Sequence, residues 1–188
     1  GIINDILDFS KIESGKMEIV PADYDLVKLM SDIMNVVEVR LKGKPVELML
    51  EIEPSLARIY NGDDMRLRQI LINLAGNSSK FTEKGFVKLR VEDLRKYQDK
   101  DGLRFSVIDS GVGIKKEDLG KLFRAFQQVD MQMNRSKGGT GLGLSISKNL
   151  VTLMHGSIGV ESEYGKGATF YVNIPQKRIS AETCGESY

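Results

Sequence analysis

Glycines that alternate with other residues open the segment with the clearest chemical character. Residues 139–144 read Gly-Thr-Gly-Leu-Gly-Leu, and apolar residues then recur at helical spacing as far as Met154. A glycine-rich loop that leads into a helix leaves backbone N–H groups free at the positive end of the helix dipole, which suits a phosphate group. Arg135 and Lys137 precede the glycines, where their cations could meet phosphate oxygens. A flexible loop with a solvated basic pair explains the same residues equally well, so other motifs must decide.

A helix predicted to run from Asp63 or Asp64 to about Phe81 carries two asparagines one turn apart. Its apolar stripe consists of Leu67, Ile70, Leu71 and Leu74. The stripe beside it consists of Arg66, Gln69, Asn73, Asn77 and Lys80. Asparagine is a mediocre helix former, so two of them in line with a lysine favour a polar ligand or a metal ion. Solvated asparagines are the alternative.

An aspartate ends the strand predicted at 103–109. Because side chains alternate along a strand, Asp109 points the same way as Leu103, Phe105 and Val107. This predicts a carboxylate at the floor of a pocket, where it could accept a hydrogen bond from an amino group of a ligand. The sequence Asp-Ser-Gly is also ordinary turn chemistry.

The elements that must position these residues form a mixed pattern of helices and strands. Helices are predicted at 2–13, 26–37, 64–81, 116–122 and 144–154, strands at 16–24, 46–52, 58–62, 86–94, 103–109, 157–163 and 168–174, a mobile loop at 127–138 and a disordered tail at 176–188. Consecutive strands are joined by hairpins, which favours a mixed, mostly antiparallel sheet with helices on one face. The predicted fold class is therefore α/β (α+β), a two-layer sandwich.

The composition is that of an ordinary globular protein. The chain has 188 residues, of which 41% are hydrophobic and 28% are charged, with a net charge of +1. Such a balance gives no indication of nucleic acid binding or direct membrane contact. The single cysteine, Cys184, cannot form an intramolecular disulfide, which fits a cytoplasmic location. No apolar run approaches the roughly 20 residues of a membrane span.

Together these motifs resemble those of sensor histidine kinases, in a style closest to the hybrid kinases that carry receiver domains. The matching segments are 73–82 for the asparagine box, 109–113 for the first glycine box, 123–126 for the phenylalanine box, 138–146 for the second glycine box and 165–170 for the closing glycine motif. They follow the order of the family. Residues 4–15 also resemble the end of the second helix of the dimerisation and phosphotransfer domain.

The resemblance implies a Bergerat-type ATP-binding fold, shared with gyrase-type ATPases, MutL proteins and heat-shock chaperones. By this resemblance Asp109 would bind the adenine amino group, and Gly113, with Gly111 in the same box, would let the backbone approach the base. Phe81 would pack near the nucleoside. Thr169 would support Asp109 from the neighbouring strand.

The resemblance also assigns the phosphate and metal contacts. Asn77 would ligate Mg²⁺, with Asn73 beside it, and Lys80 would contact phosphate. Arg135 or Lys137 would reach the γ-phosphate from a lid at 127–141. The backbone that would cradle the phosphates belongs to Gly139, Thr140, Gly141, Leu142, Gly143 and Leu144.

Asn73 bears on the reaction, because the gyrase-type relatives place a general-base glutamate at this position. An amide cannot usefully accept a proton, so we expect poor ATP hydrolysis and transfer of the phosphoryl group to a side chain instead. Histidine kinases phosphorylate a histidine on the first dimerisation helix, which this sequence lacks. Its only histidine, His155, follows a predicted helix, and the helix C-terminus explains it.

The sequence therefore predicts three parts. Residues 1–15 are the end of a dimerisation helix, 16–175 an ATP-binding kinase domain, and 176–188 a tail or linker. The expected cofactors are ATP and Mg²⁺. The expected partners are a dimerisation domain with the acceptor histidine, a response-regulator receiver domain and, in the parent, a second copy. A true ATPase of the same fold and a non-catalytic ATP-binding or partner-binding module are the alternatives. A dinucleotide-binding unit is disfavoured, because the final glycine of its motif is missing.

Overall fold

The computed structural model of the protein describes residues 2–124 and 142–185. Its helices are α1 (Ile2–Glu13), α2 (Leu26–Leu41), α3 (Asp64–Phe81) and α4 (Gly143–Leu153). Its strands are β1 (Ala22–Asp25), β2 (Val46–Ile52), β3 (Ile59–Gly62), β4 (Gly85–Asp93), β5 (Gly102–Asp109), β6 (Ser157–Glu163), β7 (Gly167–Pro175) and β8 (Lys177–Arg178). The short helix predicted at 116–122 is present only as a 3₁₀ turn at Leu119–Lys121.

The main sheet has five strands in the order β2-β4-β5-β7-β6. β2 and β4 pair in parallel, and the other neighbours are antiparallel. Alternate residues of its central strands are fully buried, such as Leu89 on β4, Val107 on β5 and Val172 on β7. The apolar stripes of α2, α3 and α4 join the same core. The predicted mixed sheet and two-layer α/β sandwich are confirmed.

A polar cap begins each of the two central helices. The Asp25 carboxylate accepts from the backbone N–H of Lys28 at 3.0 Å at the start of α2. The carboxylate of Asp63 accepts from the N–H of Arg66 at 3.0 Å, so Asp63, and not Asp64, caps α3. These caps satisfy N–H groups that would otherwise lack a partner at each helix start.

The expectation of disorder after residue 175 is wrong for residues 176–185. β8 pairs with β3 at the edge of a second, three-stranded sheet, β1-β3-β8. The N–H of Arg58 then donates to the carbonyl of Glu182 at 2.9 Å. Cys184 is buried, and its N–H donates to the carbonyl of Leu56. Backbone hydrogen bonds and one buried thiol hold this segment in place. The prediction of disorder relied on the lack of a periodic pattern of apolar side chains, and these interactions do not require such a pattern.

Helix α1 lies against the other helices but keeps an apolar face in solvent. None of its residues is buried, and Ile2, Ile3, Ile6 and Leu7 are exposed. The sequence left open whether this face packs on a partner or on its own domain. In the structure only its other side is held, by packing of Phe9 and Ile12 on the core. None of the helices in residues 2–124 and 142–185 is long and apolar enough to cross a membrane.

Candidate nucleotide-binding site

Asp109 forms a buried acceptor at the end of β5. It is 7% exposed, and the backbone N–H of Gly111 donates to its Oδ1 at 2.9 Å. Burial raises the pKa of this carboxyl, while the backbone groups of Gly111 and Ala168 and the nearby Ser78 hydroxyl act in the opposite direction. No cation forms an ion pair with it within the described ranges. The carboxylate is therefore buried without a paired cation in these ranges, and its contact with a ligand amino group remains a prediction.

The C-terminal end of α3 closes this pocket from the helix layer. A Cβ on Gly111 would lie 2.5 Å from the carbonyl oxygen of Phe81 and 2.9 Å from Thr82 Oγ1. Glycine is therefore required at this position, where the chain that follows β5 passes the C-terminal end of α3. Ser78 and Thr82, one turn apart, bury their hydroxyls here, and neither makes a hydrogen bond of standard geometry to another described residue.

Sequence reasoning missed these two hydroxyls. Both lie inside the asparagine-box segment, and their spacing of four residues places them on one side of α3. That spacing was the available signal. Hydroxyl burial beside Asp109 depends on how α3 packs on β5, which local spacing does not report.

Gly113 is explained by the backbone around it. Its φ is +72°, a left-handed value, and a Cβ there would lie 2.4 Å from the carbonyl oxygen of Glu163. Any side chain would be strained at this angle and would also clash with the turn between β6 and β7. The close approach of Gly113 to a base remains a prediction.

The strand register contradicts the predicted contact between Thr169 and Asp109. Asp109 is opposite Ala168, whereas Thr169 is opposite Ile108. Directly paired residues share a face of an antiparallel sheet, so Thr169 lies on the face away from the helices. Ala168, which is buried, occupies the position beside Asp109 that was predicted for Thr169.

Asn73 lies at the N-terminus of α4. Its Nδ2 is 3.3 Å from Ser147 Oγ and 3.4 Å from the carbonyl oxygen of Gly143. The first hydrogen bond of α4 runs from Ile146 to Leu142, so the N–H groups of residues 143–145 have no partner within the helix. The predicted asparagine stripe therefore meets the predicted phosphate-binding helix end.

Asn77 and Lys80 follow Asn73 along the same stripe, and both are half-buried. Lys80 Nζ lies 5.3 Å from the centre of the half-buried Phe81 ring. Within the described residues, no group of three or more His, Cys, Asp or Glu side chains could hold a metal ion. An amide oxygen is a hard ligand, and Mg²⁺ is often held by few protein groups together with phosphate oxygens and water. Asn77 fits that kind of site.

The comparison with protein families decides what this arrangement is. The family described as "Histidine kinase-, DNA gyrase B-, and HSP90-like ATPase" matches residues 62–178. The chain belongs to this family. Among curated proteins, hybrid signal transduction histidine kinase B of Dictyostelium discoideum is 44% identical over 174 residues, 93% of this chain and 9% of that protein. Sensor histidine kinase GacS of Pseudomonas protegens is 41% identical over 184 residues, 97% of this chain and 20% of that protein.

Solved structures agree with the assignment. Full-length ShkA in complex with AMPPNP matches with a TM-score of 0.83 and 34% identity, over 95% of this chain and 36% of that one. The nucleotide-free catalytic domain of histidine kinase ThkA matches with a TM-score of 0.67 and 29% identity, over 85% and 96%. The chain is thus an ATP-binding catalytic domain of the histidine kinase type, and it spans a fifth or less of the two curated relatives named above.

Five predicted contacts of this kinase domain lie outside the described residues, namely Arg135, Lys137, Gly139, Thr140 and Gly141. The described part of the loop begins at Leu142, which is fully buried, and continues with Gly143 and half-buried Leu144 as the first residues of α4. Only the helix end of the predicted phosphate cradle is therefore described, and it lies beside Asn73.

His155 has the position expected of a helix end. It is exposed, its φ is +61°, and its N–H donates to the carbonyl of Thr152 at 3.0 Å. A left-handed residue after the last turn is a common way to end a helix. This geometry accounts for His155 without a role in phosphoryl transfer.

Proposed function

We propose that this domain binds Mg-ATP and passes the γ-phosphoryl group to a histidine on a dimerisation domain of its parent protein. The observation that carries the proposal is the buried Asp109 carboxylate, which has a raised pKa and no cation paired with it in the described residues. A neutral hydrogen-bond donor such as the adenine amino group satisfies this acceptor. The family assignment supports ATP as the nucleotide.

Base binding is assigned to the end of β5 and the end of α3. Asp109 accepts from the adenine amino group, with Gly111 holding the carboxylate through its N–H. Phe81, whose carbonyl lies against Gly111, borders the nucleoside. Gly113 shapes the next turn and brings the backbone near the base. The dense contacts around Gly111 support a rigid base pocket.

Phosphate binding is assigned to the polar stripe of α3, which carries Asn73, Asn77 and Lys80, and to the N-terminus of α4. Asn77 ligates Mg²⁺, which neutralises charge on the phosphates when bound, and Lys80 contacts a phosphate oxygen. The backbone of residues 139–144 cradles the phosphates, and Arg135 or Lys137 meets the γ-phosphate. The short distances from Asn73 to Gly143 and Ser147 support a shared site for the two elements.

Transfer to a side chain is favoured over hydrolysis by the chemistry of Asn73. Its amide nitrogen donates to Ser147 and Gly143, and an amide has no basicity with which to activate water. In the transfer the bond from the γ-phosphorus to the bridging oxygen breaks and a bond to the imidazole nitrogen forms. Asn73 contributes by holding α4 against α3 while the phosphates bind.

The parent protein supplies the remaining partners. Residues 1–15 are assigned to the end of a dimerisation helix, and the exposed apolar face of α1 supports a helical partner there. Residues 16–175 are assigned to the catalytic domain together with residues 176–185, which pair with it through β8 and Cys184, and only the residues after 185 are assigned to a tail or linker. We further assign a receiver domain as the next phosphoryl acceptor, a homodimeric parent and a cytoplasmic place of action, where ATP is available.

Asn77→Ala should weaken ATP binding only when magnesium is present. Loss of the amide ligand removes a contact to the metal, so we expect affinity for ATP in excess Mg²⁺ to fall about tenfold. In EDTA the variant and the wild type should bind alike. Titration calorimetry in both buffers measures this, with Asn61→Ala on β3 as a control. An equal loss in both buffers would show that Asn77 acts without the metal.

Incubation with γ-labelled Mg-ATP tests the transfer itself. We expect no acid-labile label on this chain alone and only slow release of phosphate. The parent protein that carries the acceptor helix should become labelled on histidine. Phosphoryl label that is retained on His155 of this chain would contradict the assignment of an external acceptor. Rapid steady-state hydrolysis would favour an ATPase instead.

A further inference from the structure

The face of the main sheet that points away from the helices carries an arginine packed against two tyrosine rings. Arg104 of β5 points to this face, since the residues on either side of it in the strand are buried in the core. The centre of its guanidinium lies 3.5 Å from the centre of the Tyr97 ring and 4.3 Å from that of Tyr171. A Cβ on Gly159 would lie 2.4 Å from the Tyr171 ring, so glycine leaves the space that this ring occupies.

Further contacts fix the groups around this guanidinium. The side-chain oxygen of Asn173 on β7 accepts from Arg104 Nε at 2.8 Å. The hydroxyl of Tyr97, on the hairpin between β4 and β5, donates to the Glu92 carboxylate at 2.8 Å, which orients the ring. The guanidinium is therefore held by the rings and at Nε before any partner binds, and a side chain that is already ordered loses little entropy on binding.

The two terminal nitrogens of Arg104 remain open to solvent. Among residues 2–124 and 142–185, no oxygen forms a hydrogen bond or ion pair with them. Neither nitrogen is buried without a partner in those ranges, so solvent reaches both. Two other cations on the same face, Lys88 and Arg90, differ in that both pair with Glu51, at 3.4 and 3.3 Å. Arg104 is thus a preorganised cation without a carboxylate in this part of the chain.

We propose that Arg104 anchors a docking surface for a protein partner and binds a carboxylate of that partner. Because Tyr97 and Tyr171 pack against the guanidinium, a ligand is left with its edge. The bond from Nε to Asn173 leaves Nη1 and Nη2, whose parallel N–H groups match the two oxygens of a carboxylate. This surface lies on the opposite side of the sheet from Asp109, so the inference does not depend on the proposed nucleotide binding.

The surroundings of Arg104 favour a protein over a small anion. Tyr97 is 46% exposed beside it, and half-buried Phe86 and Ile108 point to the same face further along β4 and β5. Tyrosine and arginine are among the residue types that most often dominate the binding energy at protein interfaces. A partner that covers this face would bury these apolar groups together with the ion pair, whereas a free anion would meet only the guanidinium edge.

A glutamate peptide tests this surface on the intact chain. Hexaglutamate with blocked ends is titrated in about 0.1 M salt, where charges more than roughly 10 Å apart are largely screened, and NMR shifts of the backbone amides of β5 and β7 report binding. We expect Arg104→Gln to lower the affinity about tenfold, the effect of losing a hydrogen bond to a charged group. Arg104→Lys keeps the charge but loses the paired N–H groups, and should lower the affinity about threefold.

Two further variants separate recognition from charge and from folding. Arg90→Gln removes the same charge from the same face, but from an arginine that is paired with Glu51, so the peptide affinity should stay within about twofold of the wild type. Tyr97→Leu keeps Arg104 and its charge but removes one ring on the hairpin, and should lower the peptide affinity about threefold.

Other results would overturn the inference. A peptide that shifts no signal of β5 or β7 in the wild type excludes the surface, and equal losses in Arg104→Gln and Arg90→Gln would show a non-specific effect of charge. If Arg104→Lys and Tyr97→Leu bind the peptide as the wild type does but melt at lower temperature, the rings and the arginine only stabilise the sheet. Inorganic phosphate that displaces the peptide where equal acetate does not would assign the site to a phosphate group. Self-association of the chain that Arg104→Gln abolishes would assign it to a second copy.

Discussion

Asp109→Asn is expected to weaken ATP binding by about 10- to 100-fold, the range for losing a hydrogen bond to a charged group. The amide is nearly isosteric, and its oxygen can still accept from the N–H of Gly111. The second carboxylate oxygen, however, is replaced by an NH₂ group. This group and the adenine amino group are both donors, so they cannot form a hydrogen bond with each other. Titration calorimetry with Mg-ATP measures the change. Asp99→Asn, on the exposed hairpin between β4 and β5, is the matched control and should bind as the wild type does.

The same variant should not lose stability. Burial raises the pKa of the Asp109 carboxyl in the folded state, so this group stabilises the protein at acid pH and that contribution is lost as the pH rises through the folded pKa. At pH 7.5 the neutral amide removes the cost of a buried charge. We therefore expect an equal or higher melting temperature for Asp109→Asn. The difference in melting temperature should shrink as the pH falls and the carboxyl becomes protonated.

The contribution of Asp109 to nucleotide affinity should rise with pH, whereas its contribution to stability falls. The ionised carboxylate is the form that accepts from the adenine amino group, so the advantage of the wild type over Asp109→Asn should narrow as the pH falls. The ratio of the two affinities cancels the titration of the phosphates, which is common to both proteins. A variant that binds ATP as tightly as the wild type at pH 8 would contradict the base contact.

Much of this site could be predicted because its chemistry follows local periodicity. The alternation along β5 placed Asp109 on the core face, and the helical spacing placed Asn73 beside Asn77. Both are short-range properties of a strand and a helix. The structure confirms the elements and brings Asn73 to the start of α4, where the phosphate was predicted.

The errors concern interactions between elements. The contact of Thr169 with Asp109 required the β5–β7 register, and an offset of one residue moves a side chain to the other face. The ordering of residues 176–185 depends on an unpaired edge of β3, and the burial of Thr82 depends on where α3 ends above Gly111. None of these can be read from the spacing within one segment.

Two glycines where β6 leads into β7 differ sharply in how much space a side chain would have. Gly167 has a φ of +112°, and a Cβ there would lie 2.0 Å from the carbonyl oxygen of Asp109. Gly165 has a φ of +88°, with nothing within 4 Å of the position of a Cβ. Both angles are unfavourable for alanine, but only Gly167 also meets backbone that cannot move without displacing β5.

Gly167→Ala should therefore lower the free energy of unfolding by about 3 kcal/mol or more, since backbone strain and a steric clash add. Gly165→Ala should cost about 1 kcal/mol from backbone strain alone. Urea unfolding curves of both variants measure the two losses. Equal losses would show that the carbonyl of Asp109 gives way easily and that the contact is unimportant.

The clash at Gly167 also predicts a loss of binding that stability does not explain. Relief of the overlap must shift the end of β5 or the turn, and the Asp109 carboxylate moves with that backbone. At low temperature and without urea, where Gly167→Ala remains folded, we expect ATP affinity to be at least about tenfold below that of Gly165→Ala. Matched affinities of the two folded variants would mean that the turn supports the fold but does not position the base-binding carboxylate.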